Sequence, residues 1–105
     1  MPHFIIECSD NILEQNNAHE IMQVIYDQAE TSGLFAKNDI KVRLTHYKDY
    51  LLADGKSSFL HVFGHIMEGR TESQKALLSK NIVQKLNELL PELSILSMNI
   101  SEFHL

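Results

Sequence analysis

Stretches of alternating apolar and polar residues predict four β-strands along the chain. Residues 2–8 and 40–48 are rich in β-branched and aromatic side chains, and in 40–48 the apolar residues occupy every second position. Residues 58–68 and 93–103 are interpreted as the third and fourth strands. Gly64 indicates a bulge or a bend within the third.

Two further segments have the period of an amphipathic helix. The first begins with the capping-box pair Asn17 and Glu20, and Gly33 is a suitable end for it. The second begins with the pair Thr71 and Gln74 and is expected to run for about 19 residues, until a proline that cannot continue it. The apolar faces of the two helices are formed by Ile21, Val24, Ile25 and Ala29 and by Leu78, Ile82, Leu86 and Leu89.

The order of these elements is β-α-β followed by β-α-β, in halves that span roughly residues 1–52 and 57–105, with turn residues at 53–56 between them. Each half is long enough for a right-handed crossover between parallel strands. We therefore predict one α/β (α+β) domain over residues 1–105, in which two β-α-β units form a four-stranded sheet with both helices on one face. A ferredoxin-like split βαβ fold and a pair of βαβ units related by a pseudo-twofold axis both fit this order.

The second face of this predicted sheet lacks a helix layer. In residues 59–67 and 93–100 the side chains of both faces are interpreted as largely apolar. An uncovered apolar face favours association, so we expect the chain to form an oligomer with other copies of itself.

Composition narrows the range of partners. The net charge is −5, and 44% of the residues are hydrophobic. An acidic chain without a clustered basic face is a poor ligand for nucleic acid, and no apolar run approaches the length of a membrane span. The single cysteine, Cys8, fits a reducing compartment, so we expect a cytoplasmic protein without a targeting leader.

Pro2, directly behind Met1, is the first residue with possible chemistry. Proline is tolerated at the first position of a strand, which is the structural explanation. Initiator methionine is usually removed before a small residue, and removal would leave Pro2 with a free secondary amine. An α-amino group has an ordinary pKa of about 7.7–8.0, and burial or neighbouring cations lower that pKa towards neutrality, where a general base is most useful.

Three cations are candidates for an anion site. Lys41 and Arg43 stand two residues apart on a strand, so both project from one face at about 6.6 Å separation along it. Arg70 lies in the turn before the second helix, whose N-terminus also favours anions. Each residue viewed alone also fits a solvated surface position.

The histidines and the cysteine do not indicate a metal or nucleophile site. His61 and His65 are four residues apart, but in a strand this places them about 13 Å from each other, too far for one ion. The other four histidines are scattered through the sequence. Cys8 is expected to be a buried structural thiol.

Several segments together resemble one known family. The opening MPHFIIECSDN is similar to the start of the 5-carboxymethyl-2-hydroxymuconate isomerases, which belong to the tautomerase superfamily. The segments GLFAKNDIKVR, YLLADGKSSFLHVFGHIMEGR and LSMNISEFH agree in the same order, so the likeness covers nearly the whole chain.

The resemblance implies a tautomerase-like fold, a homotrimer with active sites near subunit boundaries, and a small polycarboxylate substrate from aromatic catabolism. It implies that Pro2 is the catalytic proton shuttle and that Arg43 and Arg70 bind substrate, without a metal or cofactor. Lys41 stands where the family pattern has an arginine, which keeps the charge but loses the bidentate fork. The sequence leaves open a non-catalytic ferredoxin-like binding module and a general enol–keto tautomerase.

Overall fold

The computed structural model describes residues 1–104 and contains the six predicted elements in the predicted order. Short 3-10 helices at Asp10–Glu14 and Lys37–Asp39 precede α1 and β2. The six main elements are β1 (His3–Ser9), α1 (Ala18–Thr31), β2 (Lys41–Tyr47), β3 (Phe59–Met67), α2 (Glu72–Leu89) and β4 (Ile95–Phe103).

The order of strands across the sheet decides between the two topologies. It is β2-β1-β3-β4, with β1 parallel to β2, β3 parallel to β4, and β1 antiparallel to β3. In a split βαβ fold another strand separates the two parallel strands of each unit, whereas here they are direct neighbours. The ferredoxin-like alternative is therefore wrong, and the pair of βαβ units is confirmed.

Both helix starts form the capping boxes that the sequence predicts. The Asn17 side chain accepts from the backbone N–H of Glu20 at 2.8 Å, and the Glu20 carboxylate accepts from the backbone N–H of Asn17. Thr71 and Gln74 exchange the same two bonds at the start of α2. Each pair satisfies two backbone donors that the first helical turn leaves unpaired.

The core lies between the sheet and the two helices, because α1 and α2 pack on the same face. Cys8 belongs to it, and burial raises the pKa of its thiol to about 11, which agrees with a structural role. Among the described residues, no helix is long and apolar enough to cross a membrane. The largest fully buried side chains include Phe4, Ile6, Ile21, Ile25, Leu60, Ile66, Leu78, Ile82 and Leu86.

Gly64 forms no bulge, contrary to expectation. The pairing of β3 with β1 and with β4 runs through Gly64 without an extra residue. A Cβ added there would lie 3.3 Å from the terminal methyl of Met98 and 3.4 Å from Ile100 Cγ1. Glycine is therefore explained by the close approach of β4 side chains on the helix-covered side of the sheet.

The face of the sheet opposite the helices is less apolar than predicted. Alternation turns Leu96, Met98 and Ile100 of β4 towards the helices, which leaves Ser97 and Asn99 on the open face. His61 forms 2.6 Å hydrogen bonds with both side chains. The open face therefore combines apolar positions such as Phe63 with a polar network, and the reason is the register of β4.

Candidate active site

Pro2 occupies the edge of the sheet from which both β1 and β2 start. The α1 crossover returns the chain to this edge, because parallel strands begin on the same side. The backbone N–H of Lys41 donates to the carbonyl oxygen of Pro2 at 3.2 Å. The Pro2 side chain is less than 2% exposed, and alternation places it with Phe4 on the helix-covered side.

Lys41 brings a positive charge to this edge. Its ammonium donates to the backbone carbonyl oxygen of Asp39 at 2.7 Å, so the side chain is turned back towards the start of β2. The Asp39 carboxylate lies 3.8 Å from the amino group of Met1, which is half exposed. The start of β2 therefore places a cation and a carboxylate beside the chain terminus.

Arg43 lies on the open face, two residues further along β2, and contacts His3, which no sequence motif marks as a site residue. Its Nη1 is 3.1 Å from Nδ1 of His3. A guanidinium can only donate, so this ring nitrogen must accept and carry no proton. Burial, then the charges of Arg43 and Lys41, lower the pKa of His3 from its ordinary value.

Arg70 reaches the same edge from the other half of the chain, because β3 runs antiparallel to β1 and ends there. Its guanidinium donates to the carbonyl oxygens of Leu34 at 2.6 Å and Met67 at 3.2 Å. It also lies 5.0 Å from the ring centroid of Phe35. These contacts join the loop after α1 to the turn before α2, and they leave part of the five-donor fork available for a ligand.

The four predicted site residues thus divide between two sides of one edge. Arg70 stacks on Phe35, whose ring packs edge-on against Phe4 with centroids 6.1 Å apart, on the side where Pro2 is buried. Arg43 and Lys41 project from the opposite face, with Lys41 at the end of the strand that lies beside Pro2. The backbone hydrogen bond from Lys41 to Pro2 holds these two residues next to each other.

His65 is a second basic residue on this face, and nothing in the sequence alone marks it as part of an anion site. The strand register sets it directly opposite His3, which in turn is opposite Lys41. Alternation in β1 and β3 gives a weak signal that each histidine faces away from the helices. The pairing itself could not be predicted, because it depends on the register between two distant strands.

Two βαβ units whose inner strands pair antiparallel, with a proline at the head of the first strand, define the tautomerase class of α+β enzymes. The chain belongs to the 5-carboxymethyl-2-hydroxymuconate isomerase family, whose sequence profile matches residues 2–104. It is 30% identical over 113 residues to the 5-carboxymethyl-2-hydroxymuconate Delta-isomerase of Escherichia coli, covering 99% of this chain and 88% of that protein. The chain is therefore an enzyme of the isomerase type.

Solved structures agree with this placement. A 5-carboxymethyl-2-hydroxymuconate isomerase from Deinococcus radiodurans R1 is 26% identical, with a TM-score of 0.85 over 97% of this chain and 82% of that one. A fused 4-OT protein, described as a symmetric trimer, has a TM-score of 0.76 at 15% identity, over 97% of this chain and 87% of that one. The second likeness shows the shared fold alone.

Proposed function

We propose that this enzyme shifts a double bond in 5-carboxymethyl-2-hydroxymuconate, or in a similar unsaturated carboxylate of aromatic catabolism, with the amine of Pro2 as general base. The observation that carries the proposal is the position of Pro2 at the head of β1, hydrogen-bonded through its carbonyl to Lys41, in a chain of this isomerase family. The base exists only after Met1 is removed, because the Pro2 nitrogen is otherwise an amide.

The reaction is a transfer of one proton between two carbons. Neutral Pro2 takes the proton from a carbon that is activated by conjugation to a carbonyl group, and the electron pair of that C–H bond spreads into a dienolate. Protonated Pro2 then returns the proton to a remote carbon of the conjugated system. The net result moves a double bond without oxidation or reduction, so the proposed cycle needs no cofactor.

Lys41, Arg43 and Arg70 hold the substrate carboxylates and stabilise the dienolate in this proposal. Fixed positive groups aimed at developing charge are among the largest contributors to catalysis. Arg70 makes two hydrogen bonds to backbone carbonyls and stacks on an aromatic ring, so its guanidinium is held in place before substrate arrives. Lys41 supplies a point charge, which accepts a wider range of anion geometries than a bidentate arginine.

The assembly is also part of the proposal. We infer a single-domain subunit that forms a homotrimer in the cytoplasm. Support comes from the fold shared with a fused 4-OT protein that is described as a symmetric trimer. The centre of the open face, where Ile5 and Phe63 form an apolar pair that no helix covers, is the surface we assign to this contact, and the end of the face where β1 begins lies outside it. The buried and unpaired thiol of Cys8 fits a reducing compartment.

An ultraviolet assay tests the substrate. Purified protein, shown by intact mass to lack Met1, is given 5-carboxymethyl-2-hydroxymuconate and, separately, phenylpyruvate. We expect a much higher kcat/KM for the carboxymethyl-hydroxymuconate. Equal or higher kcat/KM for phenylpyruvate would instead indicate a general enol–keto tautomerase.

A further inference from the structure

One patch of the open face holds four basic side chains. Lys41, His3 and His65 lie in one row across β2, β1 and β3, and Arg43 lies beside His3. Among residues 1–104, no carboxylate lies within ion-pair distance of any of these four side chains. Such a patch on a chain of net charge −5 is suited to an anionic ligand.

In this patch Arg43 has a neutral hydrogen-bond partner, not an anion. The hydrogen bond from Arg43 requires an unprotonated Nδ1 on His3, so one guanidinium N–H is occupied by a neutral ring. The ring of His65 stacks parallel to Phe63, with centroids 6.4 Å apart, and this contact keeps it on the same face. His3 is therefore an uncharged neighbour of two cations, and His65 lies directly opposite it in the register.

We propose that His3, His65, Lys41 and Arg43 form a binding subsite for a carboxylate group. In this subsite the two histidines take up protons when the carboxylate binds. The subsite would take one carboxylate group of a small dicarboxylate, and it rests on the proposed function because it deepens the substrate site given there. His3 and His65 are specificity-determining residues of this subsite.

The carboxylate replaces His3 as the partner of Arg43. The guanidinium N–H then donates to the carboxylate oxygen, and Nδ1 of His3 is released from its acceptor role. Beside an anion the charged imidazolium is favoured, so His3 takes a proton from solvent and donates a hydrogen bond to the ligand. His65, opposite His3 in the register, responds to the same anion. Binding therefore consumes protons.

The charges around His3 fix the direction of the pH effect. Arg43 and Lys41 face it from β2, His65 faces it from β3, and the amino terminus precedes it, and each of these groups lowers its pKa in the free protein. The next carboxylate along the same face of β1 is Glu7, about 13 Å away at strand spacing. A bound carboxylate raises the His3 pKa, so affinity is greatest at low pH and is lost as pH rises through the bound-state pKa.

Calorimetry with adipate, a saturated dicarboxylate that cannot isomerise, tests the subsite. Binding to the full chain is measured in HEPES and in Tris, whose protonation enthalpies differ, between pH 6 and 8. We expect net proton uptake and a Kd that tightens about three- to tenfold for each unit of falling pH. His3→Gln, which keeps an acceptor but cannot gain charge, should abolish most of that uptake, and His65→Gln should reduce it.

His46→Gln is the matched control, since His46 lies at the opposite end of β2 and pairs with Asp10. Its proton uptake should equal that of the unchanged protein. Adipate binding without proton uptake, or uptake that both His3→Gln and His65→Gln retain, overturns the proposal. The same titration on Pro2→Ala protein separates this result from the proposed catalysis, because binding does not need the base.

Discussion

The N–H of Lys41 donates to the carbonyl oxygen of Pro2 at 3.2 Å, so the first residue of β2 is fixed beside the first residue behind Met1. The bond continues the parallel ladder of β1 and β2 by one step beyond the strands themselves. It links the position of the terminal nitrogen to the fold of the whole first βαβ unit. The backbone of residue 41 is therefore held beside Pro2 in the folded protein.

Replacing Pro2 with alanine keeps a terminal amine but makes it primary and less constrained. We expect Pro2→Ala to lower kcat by about 10²- to 10⁴-fold, the usual contribution of a positioned general base. Pro91→Ala is the matched control, because Pro91 is an exposed residue just after the end of α2. Unchanged kcat in Pro2→Ala, measured by the ultraviolet assay, would remove the secondary amine from the mechanism.

Lys41 is expected to set substrate affinity. Lys41→Ala should raise KM or lower kcat, depending on whether its contact with substrate tightens in the transition state. Lys41→Arg keeps the charge and restores a bidentate fork, so it should retain more activity than Lys41→Ala. Lys48→Ala, an exposed position just beyond β2, serves as the control. Kinetics that are identical in all three variants would place the anion site elsewhere.

Arg70 has a structural role that can be separated from catalysis. Arg70→Lys retains the charge but loses the planar contact with Phe35 and the two directed hydrogen bonds to Leu34 and Met67. We expect the free energy of unfolding to fall by about 1.5–3 kcal/mol, the range for hydrogen bonds that involve charged groups. Urea unfolding measures this loss, and an unchanged midpoint would show that the contacts contribute nothing to stability.

The local elements could be predicted from the sequence more fully than the relations between them. Asn17–Glu20 and Thr71–Gln74 lie three residues apart, so each capping box is visible in the chain itself. The opposition of His3 and His65 depends on a register between residues 62 positions apart, which alternation alone does not fix. For the same reason the sequence could not show that Ser97 and Asn99 would lie on the open face beside His61.

The same distinction holds for the candidate site, whose single residues are visible in the sequence but whose arrangement in space is not. The sequence indicates Pro2 and Arg70 separately, and only the antiparallel pairing of β1 with β3 shows that their chain segments meet at one edge of the sheet. At Gly64 the sequence indicates a bulge or a bend, because these are common reasons for a glycine inside a strand. The close approach of Met98, which accounts for it, requires the packed structure.

The Cys8 thiol predicts how stability changes in alkaline solution. Burial raises its pKa to about 11, from an ordinary value near 9. A group whose folded-state pKa is raised stabilises the fold fully below its unfolded pKa and loses that contribution as pH rises. The free energy of unfolding should therefore decline by about 2–3 kcal/mol between roughly pH 9 and 11. Cys8→Ala should show a smaller decline, and an equal decline in both proteins would contradict the assignment.

The N-terminal cap of α2 offers a test of local stability. Thr71→Ala removes the side-chain oxygen that accepts from the N–H of Gln74 at 3.1 Å. We expect about 1 kcal/mol of lost stability, while Thr71→Ser should retain most of it. Thermal unfolding compares the two variants, and equal destabilisation by both would show that the hydroxyl is not the stabilising group.

The terminal nitrogen is the central element of the account, and its covalent state can be set directly. Protein that retains Met1, prepared in cells with methionine aminopeptidase inhibited, is compared with protein that lacks it, each verified by intact mass. The account predicts isomerase activity only in the protein that begins at Pro2. Equal kcat/KM in the two preparations would contradict it, because a Pro2 nitrogen in an amide bond cannot accept the proton.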